Sequence, residues 1–376
     1  MAIAAGPRLA GWQHALAVGA ICLATAARFY PAVISVAPLG DELAQEAAFQ
    51  NEAAGRSPYL EGSYVYPPSL LRLGSVLRGL PRSPFIPLRC LSLLGLAVVL
   101  WSATGWLGWR PWKRLAAAVL YAALAPGVRQ GIEFGNLSFA VAGMIVLALL
   151  VWERSPIGSG LLLGASLLVK PLAPAALVAL LCHRPAAPGH RHRWAAAVAI
   201  ATAGLLLLSD PEFGAFLSHG SHAWVLGRTV SVHRFLALSQ IPEGASVLTL
   251  LLLAAVAVVA RARVSDREQL LAVALAGCVM VTPVVWNHTL VLTLPLQAMA
   301  IAIAADRFRA ATPPERRRRG WEATGIALAV AALTFAEGAT GIDNLGIALQ
   351  VAATLPPALA PAVLAAYVLR FHTPFA

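Results

Sequence analysis

The chain has 376 residues, of which 59% are hydrophobic and 12% charged, and it carries a formal net charge of +11. Apolar runs recur along nearly its whole length and the mean hydropathy is +0.73; this excludes an ordinary soluble domain and marks an all-α polytopic membrane protein. The basic excess does not point to nucleic acid, because Arg316 to Arg319 form one short run with no interleaved aromatics.

In chain order, the apolar pattern predicts helices at 12 to 34, 85 to 107, 113 to 128, 136 to 152, 158 to 169, 172 to 182, 194 to 209, 245 to 260, 269 to 282, 287 to 304, 321 to 336 and 346 to 369. That makes about twelve, several shorter than the ~20 residues of a straight crossing. The first run shows no small-residue cleavage site before the polar segment and reads as a retained helix. Three longer polar segments interrupt one integral membrane domain spanning 1 to 376: 35 to 84, 210 to 244 and 305 to 320. Cys22, Cys90, Cys182 and Cys278 lie in apolar runs without paired or metal-type spacing, so they read as small buried hydrophobes.

The distribution of Lys and Arg sets an orientation. With both termini cytoplasmic, the termini and the connections "WRPWKR", "ER", "HRPAAPGHRHR", "RARVSDRE" and "DRFRAATPPERRRRGWE" hold 18 of the 28 Lys and Arg but only 6 of the 17 Asp and Glu. This scheme puts Gly158 and His183 on the same side. The stretch "GSGLLLGASLLVKPLAPAALVALLC" must therefore enter and return, as two half-length helices meeting at Lys170-Pro171. An ammonium at membrane depth is a functional candidate, here for an anion; the competing reading is a lysine that snorkels from the end of a short helix.

A cavity open to the outer side at Lys170 would draw its remaining chemistry from the outer loops. The first, 35 to 84, is predicted to carry a short amphipathic helix along the membrane face from about Glu42 to Ala54, directly after Gly40-Asp41. Pro67 and Pro68 then force an extended or turned segment that brings Tyr59, Tyr64 and Tyr66 to the interface. Asp41 has a plain structural reading as the cap of that surface helix.

A set of short segments in order, "GD" at Gly40, "GRSPY", "YPP", "GNLSF" at Gly135 to Phe139, "LLLGASLLVKPLAP" and "TPVVWNH", resembles glycosyltransferase family 87, the polyprenyl-phosphate-mannose-dependent mannosyltransferases of the GT-C superfold. The resemblance runs from Gly40 to about Leu294. It implies a GT-C-type helix bundle in a bacterial-type plasma membrane, a polyprenyl-phosphate sugar donor, a glycolipid or glycan acceptor, and an active site on the outer face. Such a transfer needs a carboxylate to take the acceptor proton and cations to hold the departing phosphate. For the phosphate, charge and position make Lys170 the first candidate, with Arg228, His233 and Arg234 as secondary ones. By the resemblance Asp41 is the base. His288 contacts sugar or phosphate, and Asn136 with the three tyrosines lines the acceptor side or the interface. Two departures bear on the acceptor and the donor sugar: "GDELAQEA" where the family shows aromatics after the aspartate, and a single histidine in "TPVVWNH". With Glu42 adjacent to Asp41 rather than two residues on, no Asp-x-Asp metal site forms, and neither metal nor cofactor is expected.

Two other classes compete. A transporter would also use broken helices and buried charge, but there is no repeat and the helix interiors are almost free of charge apart from Arg28 and Lys170. A scaffold presenting basic loops to acidic lipids would explain the charge but not the first outer loop.

Overall fold

A computed structural model describes residues 11–59, 64–77, 83, 85–184, 190–219, 229–283, 285, 287–334 and 347–372. Among these every regular element is helical. The helices are α1 Gly11–Arg28, α2 Tyr30–Ile34, α3 Gly40–Ala53, α4 Pro68–Leu77, α5 Phe85–Gly105, α6 Pro111–Leu124, α7 Pro126–Glu133, α8 Ser138–Val151 and α9 Pro156–Val169. There follow α10 Pro174–Cys182, α11 Arg191–Leu208, α12 Phe213–His219, α13 Arg234–Leu238, α14 Ala245–Arg263, α15 Arg267–Val281, α16 Leu294–Arg309, α17 Pro313–Thr334 and α18 Ile347–Phe371.

By length and apolar composition, four helical stretches among the described residues suffice to cross a membrane: Phe85–Gly105, Ala245–Arg263, His288–Arg309 and Thr354–Phe371. A fifth crossing is α6 with α7 if that pair, bent by 63° at Ala125, counts as one broken span. Proline opens many of the helices, as at Pro111, Pro126, Pro156 and Pro174, where the missing N–H is no loss. Other starts are fastened by side chains. Ser155 accepts from the Gly158 N–H at 3.3 Å, and Asp266 accepts from the Gln269 N–H while Gln269 reaches back to the Ser265 N–H.

The polar segments hold more helix than the sequence reading gave them, with α4 inside 35 to 84 and α12 and α13 inside 210 to 244. The segment 305 to 320 is mostly helix, since α16 runs on to Arg309 and α17 begins at Pro313, so Arg316 to Arg319 occupy the start of α17. Exposed charged side chains do not oppose helix formation, and Glu315 caps this start by accepting from the Thr312 N–H and hydroxyl. All four cysteines are free, and Cys278 is buried as expected, but Cys90 is exposed; an apolar side chain on the outer face of a membrane helix needs no protein burial.

Packing settles the path of the chain around Lys170. Gly160 of α9 lies against Ala195 and Val198 of α11, and Gly164 lies against Ala199 and Thr202. The order is the same along both helices, so α9 and α11 run parallel and α10 must return between them. Side chains at the far ends agree: Trp152 after α8, His183 after α10 and His192 at the start of α11 meet with ring centroids 5.7 to 6.1 Å apart. The expected entry and return is therefore present, with its reversal at Lys170 to Ala173. With 14 residues, α9 rises about 21 Å, which carries Lys170 most of the way across a bilayer core of about 30 Å. Close backbone approach supports the arrangement, since Gly95 of α5 sits against the backbone of Phe139 and Ala140 and against Gly143 of α8.

Candidate functional site

The site begins where α3 leaves the membrane domain. Its N-cap is Leu39, whose N–H donates to Glu42 Oε2 at 2.7 Å. Asp41 is thus not the cap, and the structural reading of that residue falls. Its backbone N–H donates to the Phe134 carbonyl at 2.8 Å, and its Oδ2 accepts from the Tyr66 hydroxyl at 3.2 Å and from Asn136 Nδ2. A carboxylate in the first turn also sits in the favourable field of the helix.

Glu42 points elsewhere. Successive helical residues project about 100° apart, and the Glu42 carboxylate is buried against Arg89 of α5, which meets it through Nε at 2.8 Å and through Nη2. Arg89 also donates to the carbonyls of Ala32, Ser35 and Ala37, in and just after α2.

The turn between α7 and α8 supplies the next groups. Gly135 has φ of +65°, a conformation that suits glycine, and a Cβ there would come within 2.4 Å of Glu42. It delivers Asn136, whose Oδ1 accepts from the Ser138 N–H at 2.8 Å while Nδ2 faces Asp41 and the Tyr66 hydroxyl. Ser138 Oγ in turn accepts from Lys170 Nζ at 2.7 Å and lies 3.4 Å from Thr289 Oγ1. Lys170 is only 7% exposed, and its ammonium is 5.8 Å from the centre of the Tyr66 ring. His288, buried beside Thr289, has no hydrogen bond at either ring nitrogen among the described residues, and it is close enough to Lys170 for their charges to interact.

The three tyrosine rings pack as one tilted cluster. Ring centroids are 5.4 Å apart for Tyr59 and Tyr64 and 5.8 Å for Tyr64 and Tyr66. The Tyr59 hydroxyl donates to the Tyr66 carbonyl and the Tyr64 hydroxyl to the Pro67 carbonyl. Burial raises the phenol pKa of Tyr66, and the neighbouring Asp41 charge raises it further, so Tyr66 stays protonated and donates to the carboxylate.

Five sequence-predicted residues are therefore brought together: Asp41, Tyr66, Asn136, Lys170 and His288. Tyr59 and Tyr64 buttress Tyr66. Among the described residues no hydrogen bond joins His233 to the chain that runs from Asp41 to Thr289. His233 Nε2 is 3.0 Å from Thr249 Oγ1, and Arg234 donates to the Thr229 carbonyl. Their loop is stitched to the segment before His288 through Val230 N–H to the Val285 carbonyl and Ser231 Oγ to the Pro283 carbonyl. Arg228 lies outside the described residues. The sequence reading missed Ser138, Thr289, Glu42 and Arg89. Ser138 lies inside "GNLSF", Thr289 follows "TPVVWNH", and Arg89 is the only charged residue of α5.

The profile of glycosyltransferase family 87 matches residues 64–285. The chain belongs to that family. The matched span holds Tyr64, Tyr66, Asn136 and Lys170 of this glycosyltransferase, while Asp41 precedes it and His288 follows it. Among solved structures, the crystal structure of ArnT from Cupriavidus metallidurans bound to undecaprenyl phosphate is similar at 16% identity, covering 96% of this chain and 76% of that one, with a TM-score of 0.38. No curated protein matches the chain.

Proposed function

We propose that this membrane glycosyltransferase moves a sugar, mannose being the one expected, from a polyprenyl-phosphate donor to a hydroxyl of a lipid-linked or glycan acceptor at the outer face of the membrane. The supporting observation is the pairing of a carboxylate at the hydroxyl end of Tyr66 with an ammonium near its ring, Asp41 and Lys170, in one largely buried polar cluster. In a single displacement the acceptor oxygen attacks the anomeric carbon as the bond to the phosphate oxygen breaks, and the anomeric centre inverts. The hydroxyl proton passes to Asp41 and the bonding electrons leave with the polyprenyl phosphate, which needs no proton to depart. Lys170, with His288 close by, meets the charge that develops on the phosphate. Asn136 and Tyr66 hold the Asp41 carboxylate in one orientation by donating to a single oxygen, which leaves the other for the acceptor.

The test is release of polyprenyl phosphate from polyprenyl-phosphate mannose by the purified protein, with a membrane lipid extract as the acceptor pool. This readout registers transfer whatever the acceptor. Asp41→Asn keeps the shape and an oxygen for Tyr66 but cannot take a proton at neutral pH, so release should fall by ~10²-fold or more, with Tm and donor binding little changed. An Asn variant with near wild-type turnover would remove Asp41 as the base. Release unaffected by chelator is expected, and inhibition would establish a metal requirement.

A further inference from the structure

We infer that the Glu42–Arg89 ion pair is a positioning device for Asp41: it fixes the rotation of α3 about its own axis and thereby the aim of the base. This rests on the reading of Asp41 given above. All five N–H bonds of the Arg89 guanidinium are used, by Glu42 Oε1 at Nε, by Ala32 and Ser35 at Nη1, and by Ala37 and Glu42 Oε2 at Nη2. The two side chains are 5% and 2% exposed. Stability alone does not account for such a pair, since well-packed apolar residues of similar volume are often as stable or more so. What a fully engaged fork supplies is a fixed angle.

The angle matters here because Asp41 and Glu42 are neighbours on one helix. A roll of α3 by about 20° would carry a carboxylate some 6 Å from the axis through roughly 2 Å, and a misplacement of about 1 Å can cost two orders of magnitude in rate. Glu42 anchors both sides of the base. It accepts from the Leu39 N–H at the start of α3, and it packs on Gly135, the turn that delivers the Asn136 amide to Asp41. Arg89 itself stands on α5, a helix long enough to span the membrane, so the reference frame for the outer helix is the bundle.

The experiment compares Glu42→Gln and Arg89→Lys, each made alone and on the Asp41→Asn background, in the polyprenyl phosphate release assay. Glu42→Gln keeps the shape and one acceptor oxygen but loses the charge and turns the other acceptor into a donor facing the fork; Arg89→Lys keeps the charge and loses the fork. The expected result is a fall in kcat of about 10-fold or more with the KM for donor changed by no more than about twofold. On Asp41→Asn, neither change should lower the residual rate further, because a device acting through Asp41 has nothing left to aim. Near wild-type kcat in both variants would overturn the inference, as would losses that multiply in full with that of Asp41→Asn. Loss of folding in both would assign the pair to stability and equally overturn it. An inert wild-type protein would instead overturn the transfer reaction itself, so the two failures are distinguishable.

Discussion

Lys170 is the residue on which the phosphate half of the proposed mechanism depends. Its ammonium donates to Ser138 and lies near the Tyr66 ring, and a hydroxyl does little to offset a buried positive charge. A snorkelling lysine would reach water; this one is buried. Lys170→Met removes the charge at similar length, so polyprenyl phosphate binding to the purified protein should weaken by about 10- to 100-fold, the worth of one hydrogen bond to a charged group. Lys170→Arg should fall between, because the fork differs from a point charge in geometry. Unchanged affinity in the Met variant would end the phosphate assignment. Four of the predicted residues that the fold brings together, Asp41, Asn136, Lys170 and His288, share a property: each is a polar or charged group set where an apolar helix stops or breaks. Arg89 stands in the second turn of α5, inside the predicted helix 85 to 107, and nothing in the linear order names Glu42 as its partner. Glu42 followed an aspartate that already had a role. Ser138 and Thr289 are small hydroxyl residues, and nothing in the linear order says that α8 and the 3-10 turn Asn287–Thr293 approach within 3.4 Å. His233 and Arg234 were proposed from their charge alone, and the structure adds their local contacts. His233 lies within hydrogen-bond distance of Thr249, and Arg234 donates to the Thr229 carbonyl.

At the scale of elements, the paired half-helices were legible because proline, lysine and the arginine count agree on a reversal at one place. Their packing was not, since the parallel contact of α9 with α11 depends on Gly160 and Gly164 facing Ala195 and Ala199 rather than on any pattern within one helix. The closed end of this unit has a testable pH response. Burial holds the His183 imidazole down to about 4, with the charge of His192 adding to the effect, and burial first, then Arg193 and His190, lowers His192 as well. Both groups therefore bind a proton more readily in the unfolded chain, whose imidazoles titrate near 6.5. Their neutral forms favour the folded state above that value, and the contribution is lost as pH falls from about 6.5 towards 4. The Tm of the purified protein should accordingly drop across that window. The double variant His183→Gln, His192→Gln should show a shallower drop, and an identical slope in both proteins would dismiss the cluster as its source.

For the whole molecule, the separation of polar chemistry from basic charge is the feature that carries from sequence to architecture. One end of the bundle gathers the outer-loop contacts: Arg72 pairs with Asp210 at 2.9 Å, Ser57 donates to Glu212, and Ser69 donates to the Leu168 carbonyl two residues before Lys170. The opposite end of α9 to α11 holds Trp152, His183 and His192, next to the arginines of the connections. The two ends are thus fixed relative to each other by packing, and the positive-inside rule assigns the Lys170 end to the outside. Cysteine reporters decide it. In a background with Cys22, Cys90, Cys182 and Cys278 replaced, Arg56→Cys and His190→Cys both place a thiol at exposed positions. A membrane-impermeant maleimide applied to intact cells should label the first only, and label the second once the membrane is opened. Labelling of both from outside would break the hairpin path of α9 and α10. The reverse pattern would keep that path but turn the site towards the cytoplasm, and with it the face on which donor and acceptor must meet.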